Sequence, residues 1–150
     1  MTHQEFMNEA LDLAKEAGAA GEVPVGCVIV QAGAIIGRGR NRREEDKDAL
    51  GHAELAAIHA ACQARGDWRL SDASLYVTLE PCPMCAGAII NARIPKIYYG
   101  AKDERLGCCG SVLNLFEEDF KHKPQIVGGI LEHDCSGVLK AFFEKLRNIF

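Results

Sequence analysis

The stretch Leu75-Tyr76-Val77-Thr78-Leu79-Glu80-Pro81-Cys82-Pro83-Met84-Cys85 changes character at its middle. Its first part, Leu75 to Leu79, has the aromatic and β-branched content of a strand. Pro83 then stands where helices favour proline, at the first position, and predicts a helix running to about Arg93. Lys96 to Ala101 and Gln125 to Gly129 read as the next two strands. Strands separated by helices need crossover connections, so this half of the sheet is expected to be parallel. Upstream, Val23 to Val30 is apolar on both parities, the pattern of a strand covered on both faces, and Gly33 turns it into a second strand from Ile35 to Asn41. That pair reads as a hairpin. Thr2 and Glu5 have capping-box spacing ahead of Phe6, Ala10, Leu13, Ala14 and Ala17, a helix that Gly18 and Gly21 end. Leu55, Ile58 and Cys62 stripe a helix starting near His52, and Val138, Phe142, Leu146 and Ile149 stripe a last one. The result is an α/β chain with a five-stranded mixed sheet covered by helices.

The 150 residues contain no internal repeat or linker, so residues 1–150 are expected to form a single domain. A composition 48% hydrophobic and 25% charged excludes disorder as the main state. The longest uncharged run, Val23 to Gly37, includes Pro24 and several glycines and is too short to span a bilayer, so no membrane segment is expected. Residues 1–22 carry acids throughout and no basic region before an apolar run. No signal or transit peptide is therefore expected, and a cytoplasmic location is. Seven cysteines, an odd number without a secretory signal, argue against a disulfide framework and for cysteine chemistry. The net charge of −4 gives no support to a nucleic-acid partner, which must rest on local charge.

The chemistry concentrates in His52-Ala53-Glu54 and Pro81-Cys82-Pro83-Met84-Cys85. Two cysteines in the loop entering a helix can aim both sulfurs at one ion, and the helix N-terminus favours thiolate over thiol. Thiolates plus an imidazole select zinc. A structural zinc wants four protein ligands, whereas His52, Cys82 and Cys85 make three. The only other close cysteine pair, Cys108-Cys109, is adjacent in sequence and poorly shaped for one ion. An open fourth position implies catalysis, with bound water brought to a pKa of about 7. Glu54, two residues from His52, is placed to take and return protons.

The arrangement H-x-E with P-C-x-x-C resembles the zinc nucleobase-deaminase signature. Beyond it, Gly21-Glu22-Val23-Pro24-Val25-Gly26 and Tyr76-Val77-Thr78-Leu79-Glu80-Pro81-Cys82-Pro83-Met84-Cys85-Ala86-Gly87-Ala88 are similar to the bacterial tRNA-specific adenosine deaminases, and the likeness runs over nearly the whole chain. The short motif is shared by cytidine, guanine and deoxycytidylate deaminases; the longer strings favour the tRNA enzymes. The resemblance implies a three-layer cytidine-deaminase-like fold, a homodimer, a zinc cofactor, and hydrolysis of adenosine to inosine at the wobble position of a tRNA anticodon stem-loop. It further implies that Asn41 and the Ala53 backbone contact the target base, that Asp103 lies near the anticodon backbone and that His122 touches the anticodon loop. Lys121 stands where many members carry Asn, which puts that last contact in doubt. Gly51 stands where members often carry Ala, and the basic tail that many append after the final helix is absent at Phe150. Part of the usual tRNA grip is then expected to be missing.

Other residues have plainer readings. Along the second strand Arg38, Arg40 and Arg42 share one parity and Asn41 the other, so Asn41 points away from the arginines, either into a pocket or into a turn. The arginines precede Glu44, Glu45, Asp46 and Asp48 and form either a self-paired surface or an RNA contact. Lys96, Lys102, Arg105, Lys121, His122 and Lys123 are expected at the mouth of the site. His59 is expected to be a structural histidine on the stripe of Leu55 and Cys62, Cys27 and Cys62 core thiols, and Trp68 a packing residue. Phe142 and Phe143 cannot both face the core; one is left to stack on an unpaired base, the role assigned to Phe143, or to lie in a dimer contact. The rival functions are a free-base or nucleotide deaminase of guanine or cytosine type and a non-catalytic zinc and RNA-binding subunit. Such a subunit usually lacks the glutamate that Glu54 supplies.

Overall fold

A computed structural model describes residues 1–149; Phe150, on which the expectation about a basic tail falls, lies outside the described residues. The elements in order are α1 (His3–Ala19), β1 (Gly26–Gln31), β2 (Ala34–Arg40), α2 (Arg43–Asp46), α3 (Ala53–Arg65), β3 (Ala73–Leu79), α4 (Pro83–Asn91), β4 (Lys96–Ala101), a 3₁₀ turn at Leu115–Glu117, β5 (Gln125–Val127) and α5 (Glu132–Ile149). The sheet order is β2-β1-β3-β4-β5. β1 pairs antiparallel with β2 and with β3, whereas β3/β4 and β4/β5 are parallel. The five-stranded mixed sheet and the hairpin are as the sequence predicts. β1 starts later than expected, because Pro24 has no N–H to give a ladder. The short α2 and the 3₁₀ turn carry no apolar period and were not foreseen.

Alternation along the central strands feeds two cores. Cys27, Ile29, Leu75, Val77 and Ile97 face α3 and α4, while Val28, Val30, Tyr76 and Tyr98 face α1 and α5. Thr2 caps α1 through a hydrogen bond from the Glu5 N–H to its Oγ1, 3.1 Å. Among the described residues no helix is long and apolar enough to cross a membrane.

The approach of α3 to β2 sets the position of the site. Gly37 and Gly39 lie on the side of β2 that faces α3: a Cβ built at either would fall 2.3 Å from the Ala57 or Ala53 carbonyl oxygen. The helix answers with Ala53, Ala57 and Ala61, all fully buried. This corrects the expected stripe. Leu55 and Cys62 are only partly buried and His59 is exposed, because a backbone-to-backbone contact leaves room for methyl groups alone. The other side of β2 meets α1, where Arg38 pairs with Glu9 and Arg40 with Glu16.

Trp68 is also corrected: it is half exposed, with the guanidinium groups of Arg69 and Arg93 at 4.5 and 5.6 Å from its ring centre. Of the neighbouring phenylalanines, Phe142 is partly buried and Phe143 is exposed, their rings edge to face at 5.4 Å.

Gly37→Val places its side chain inside the α3 backbone. It is expected to lower stability by about 1–3 kcal/mol or more, as overpacking does. Urea unfolding measures this as an earlier midpoint at unchanged m-value, with Ala34→Val on the exposed end of the same strand as a near-neutral comparison.

Candidate active site

Two helices begin side by side at one end of the sheet. His52 is the N-cap of α3 and Cys82 the N-cap of α4; both are extended, and neither side chain caps its own helix. Each side chain is therefore available to turn into the space between the helix starts. His52 Nδ1 lies 3.6 Å from Cys82 Sγ and 3.5 Å from Cys85 Sγ. All three donor atoms fall within 4.8 Å of one another. With Zn–S near 2.3 Å and Zn–N near 2.05 Å, the N···S edge of a tetrahedron is about 3.55 Å. The donor set fits zinc in type and spacing.

The electrostatics agree. A hydrogen bond from the Cys85 thiol, and a second with His52, draw the Cys82 thiol down to about 4 against the cost of burial. The same Cys85–Cys82 hydrogen bond, together with burial, raises Cys85, since the first negative charge holds back the second proton. A dication held by both thiolates would reverse that repulsion. His52 is raised chiefly by its hydrogen bond to Cys82. Glu54, in the first turn of α3, is 4% exposed, and its carboxyl is pushed up to about 7, first by burial and then by the neighbouring Cys82 charge.

A cavity of about 520 Å³ opens outward from this cluster. Its floor carries His52, Ala53, Glu54 and Cys82; one wall is Val23, Val25 and Asn41, another the segment Lys102 to Leu106, and Leu139 and Phe143 of α5 close the side. Asn41 is held firmly. Its Nδ2 donates to the Val23 carbonyl at 3.2 Å and its Oδ1 accepts from the Arg43 N–H at 3.0 Å, which fixes which end of the amide faces which way. So it does both jobs the sequence left open: it starts the turn and lines the pocket.

Residues 1–101 match the family described as the cytidine and deoxycytidylate deaminase zinc-binding region. The chain belongs to that family. Among relatives, the tRNA-specific adenosine deaminase of Bacillus subtilis (strain 168) is 50% identical over 98% of this chain and 92% of its own length. That of Streptococcus pyogenes serotype M18 (strain MGAS8232) is 46% identical over 95% of this chain and 90% of its own. Among solved structures, one from a study of A-to-I editing by tRNA:A34 deaminases at the wobble position of transfer RNA has a TM-score of 0.87, with 45% identity over 90% of this chain and 99% of that one. Guanine deaminase of Bacillus subtilis has a TM-score of 0.65 and 44% identity over 68% of this chain and 66% of that one. Zinc is the metal of this deaminase family, and His52, Cys82 and Cys85 are the residues here that could hold it.

The fold gathers most of the sequence-predicted residues of this deaminase. Asn41, His52, Ala53, Glu54, Cys82, Asp103 and Phe143 all line the cavity, with Cys85 buried behind them. Asp103 is engaged within its own loop, where Oδ1 accepts from the N–H groups of Arg105 and Leu106. His122 is elsewhere. It donates from Nε2 to the Ile94 carbonyl at 2.7 Å, beside the start of β4, while the cavity lies past the end of β3. Lys96, Lys121 and Lys123 share that far end, because the link between parallel strands β4 and β5 must travel back along the sheet. Only Lys102 and Arg105 of the expected basic mouth reach the cavity. The arginines at and just after the end of β2 are mostly self-paired: Arg40 with Glu45, Arg42 with Glu45 and Asp46.

Two buried carboxylates escaped the sequence reading. Glu22, 1% exposed, accepts from the N–H groups of Glu44 and Glu45 and steadies the segment after Asn41. Glu80, 2% exposed, braces the opposite wall. Each sat inside a quoted motif, yet an acid gives no apolar period, and only its burial reveals the task.

Cys82→Ser and Cys85→Ser are expected to lose zinc and a large part of the stability that binding contributes to folding. Metal content per chain and the melting temperature check this, as does a fall in the wild-type melting temperature on chelation. A variant that keeps one zinc with unchanged melting removes the altered residue from the ligand set.

Proposed function

We propose that this chain is a single-domain, zinc-dependent hydrolase that converts adenosine to inosine at the wobble position of a tRNA anticodon, working as a homodimer in the cytoplasm. The observation that carries the reading is a cavity whose floor carries His52 and Cys82 of a three-donor, zinc-type cluster beside one buried carboxylate and whose rim holds cations that a free base would not need. The relatives at 50% and 46% identity bear names of that activity and align over almost the full chain, unlike the guanine deaminase. Leu106, Val112 and Leu113, each about half exposed in the segment after β4, offer apolar surface for a subunit contact. In such a dimer His122 would meet RNA from outside its own chain's cavity.

Zinc, when bound, supplies a water activated for attack at neutral pH. The chain does the rest. Asn41 and the Ala53 backbone orient the base splayed from the loop, which costs less from a single strand than from a duplex. The Glu54 carboxylate takes a proton from the attacking water, gives it to the ring nitrogen, and then carries one to the departing amine. Water adds, ammonia leaves and inosine remains. Val25, Leu79 and Leu139 line the cavity with apolar surface that excludes bulk water.

Glu54→Ala is expected to slow single-turnover inosine formation in an anticodon stem-loop roughly 10³- to 10⁴-fold, with zinc content and RNA affinity nearly unchanged. Activity within tenfold of wild type moves the proton shuttle elsewhere. Turnover of guanine or cytosine bases with none of the stem-loop replaces the reading by the free-base alternative. RNA binding is expected to weaken with salt despite the net charge of −4, with a log–log slope of about 0.7 per phosphate contact on single strands. Affinity measured between low and moderate salt reports the slope.

A further inference from the structure

We propose that Glu80 is a positioning residue for the RNA substrate: its buried carboxylate presets the loop between β4 and the 3₁₀ turn, so that Lys102 and Arg105 meet the RNA on a wall already ordered. This rests on the reading of the cavity as an RNA site.

The loop contains almost no regular structure, so its backbone must find partners elsewhere. Glu80 supplies them. Oε1 accepts from the Asp103 N–H at 3.0 Å and from the Ser111 hydroxyl; Oε2 accepts from the N–H groups of Cys109 at 2.8 Å and Ser111 at 3.1 Å. One carboxylate thus ties together the two ends of the stretch Asp103 to Ser111. The fit is close, since a Cβ on Gly107 would lie 2.4 Å from Glu80 Cδ. Next to it the Cys108 N–H donates to the Pro81 carbonyl at 2.9 Å, which joins the loop to the segment that delivers Cys82.

A carboxylate withdrawn from water is costly unless its oxygens are satisfied, and here donors from the loop meet both. The residues that gain are on the cavity side. Lys102 and Arg105 line the cavity, and among the described residues neither forms an ion pair with an acid, unlike Arg38, Arg40 and Arg42. A loop ordered beforehand does not have to be ordered by the substrate, which favours affinity more than chemistry. Glu80 reaches the cavity wall, but both its oxygens are taken by loop donors and it forms no hydrogen bond with His52, Cys82 or Cys85; it acts through the loop.

Glu80→Gln keeps the shape but turns one oxygen into an amide that confronts N–H donors. It is expected to raise KM for an anticodon stem-loop roughly tenfold, with kcat within about threefold of wild type and one zinc per chain. Amide hydrogen exchange across residues 103–111 should accelerate in the same protein. Ser111→Ala, on the loop side and away from the cysteines, removes one bond and is expected to give the same pattern with a KM rise of about two- to threefold. It carries the test if Glu80→Gln fails to fold. Wild-type KM and exchange in the variants overturn the proposal, as does a loss confined to kcat or to zinc. A wild-type protein that neither binds nor deaminates the stem-loop overturns the RNA reading and this proposal with it; a wild type that does both beside unaffected variants overturns only the role of Glu80.

Discussion

The convergence of two helix N-termini at one end of the sheet is the constraint on which the rest depends. His52 and Cys82 each occupy the residue just before a helix, and Cys85 lies one turn further along the second. The free N–H groups and positive dipole ends of both helices favour negative charge in the space between them. The imidazole can then approach the two sulfurs to 3.6 and 3.5 Å without a dedicated loop. Any shift of α3 along its axis would move His52 and Glu54 together, so the imidazole and the buried carboxyl hold their relation because they share one rigid turn.

That helix is held by what β2 lacks. Gly37 and Gly39 present bare backbone to the alanine side of α3, and bulkier residues on either side would lift the helix away from the sheet. The opposite side of β2 carries the arginines that pair with α1. One short edge strand therefore fixes the active-site helix through absence of side chains and the outer helix through charge.

Much of this was legible in the sequence, for physical reasons that vary by element. The buried strands announced themselves through unbroken apolar runs, and Pro83 marked the start of α4. The zinc donors were readable because ligand type and spacing carry chemistry in themselves. What failed was inference from residue type without neighbours. Leu55 and Cys62 looked like a core stripe until the glycine surface of β2 reduced the contact to alanine. Lys121, His122 and Lys123 looked close to the mouth because they are near it in sequence, whereas the return path of a parallel connection carries them to the far end. Glu22 and Glu80 were invisible as braces, since nothing in a lone acid tells whether water or backbone amides will surround it.

The order of strands also bears on how the protein comes together in time. β1 and β2 are joined by a tight turn and can pair as soon as both exist, whereas β1 reaches β3 across a long interval, Gly26 meeting Thr78 52 positions away. Closing that interval is the slow kind of event in a folding chain. His52 leaves the ribosome well before its partners, which follow 30 and 33 positions later. Cys82 and Cys85 can hold an ion loosely as a pair, but the imidazole is delivered only when β3 docks on β1. Metal capture is thereby tied to that long-range pairing, and an ion held by all three donors marks a chain in which β1 and β3 have joined.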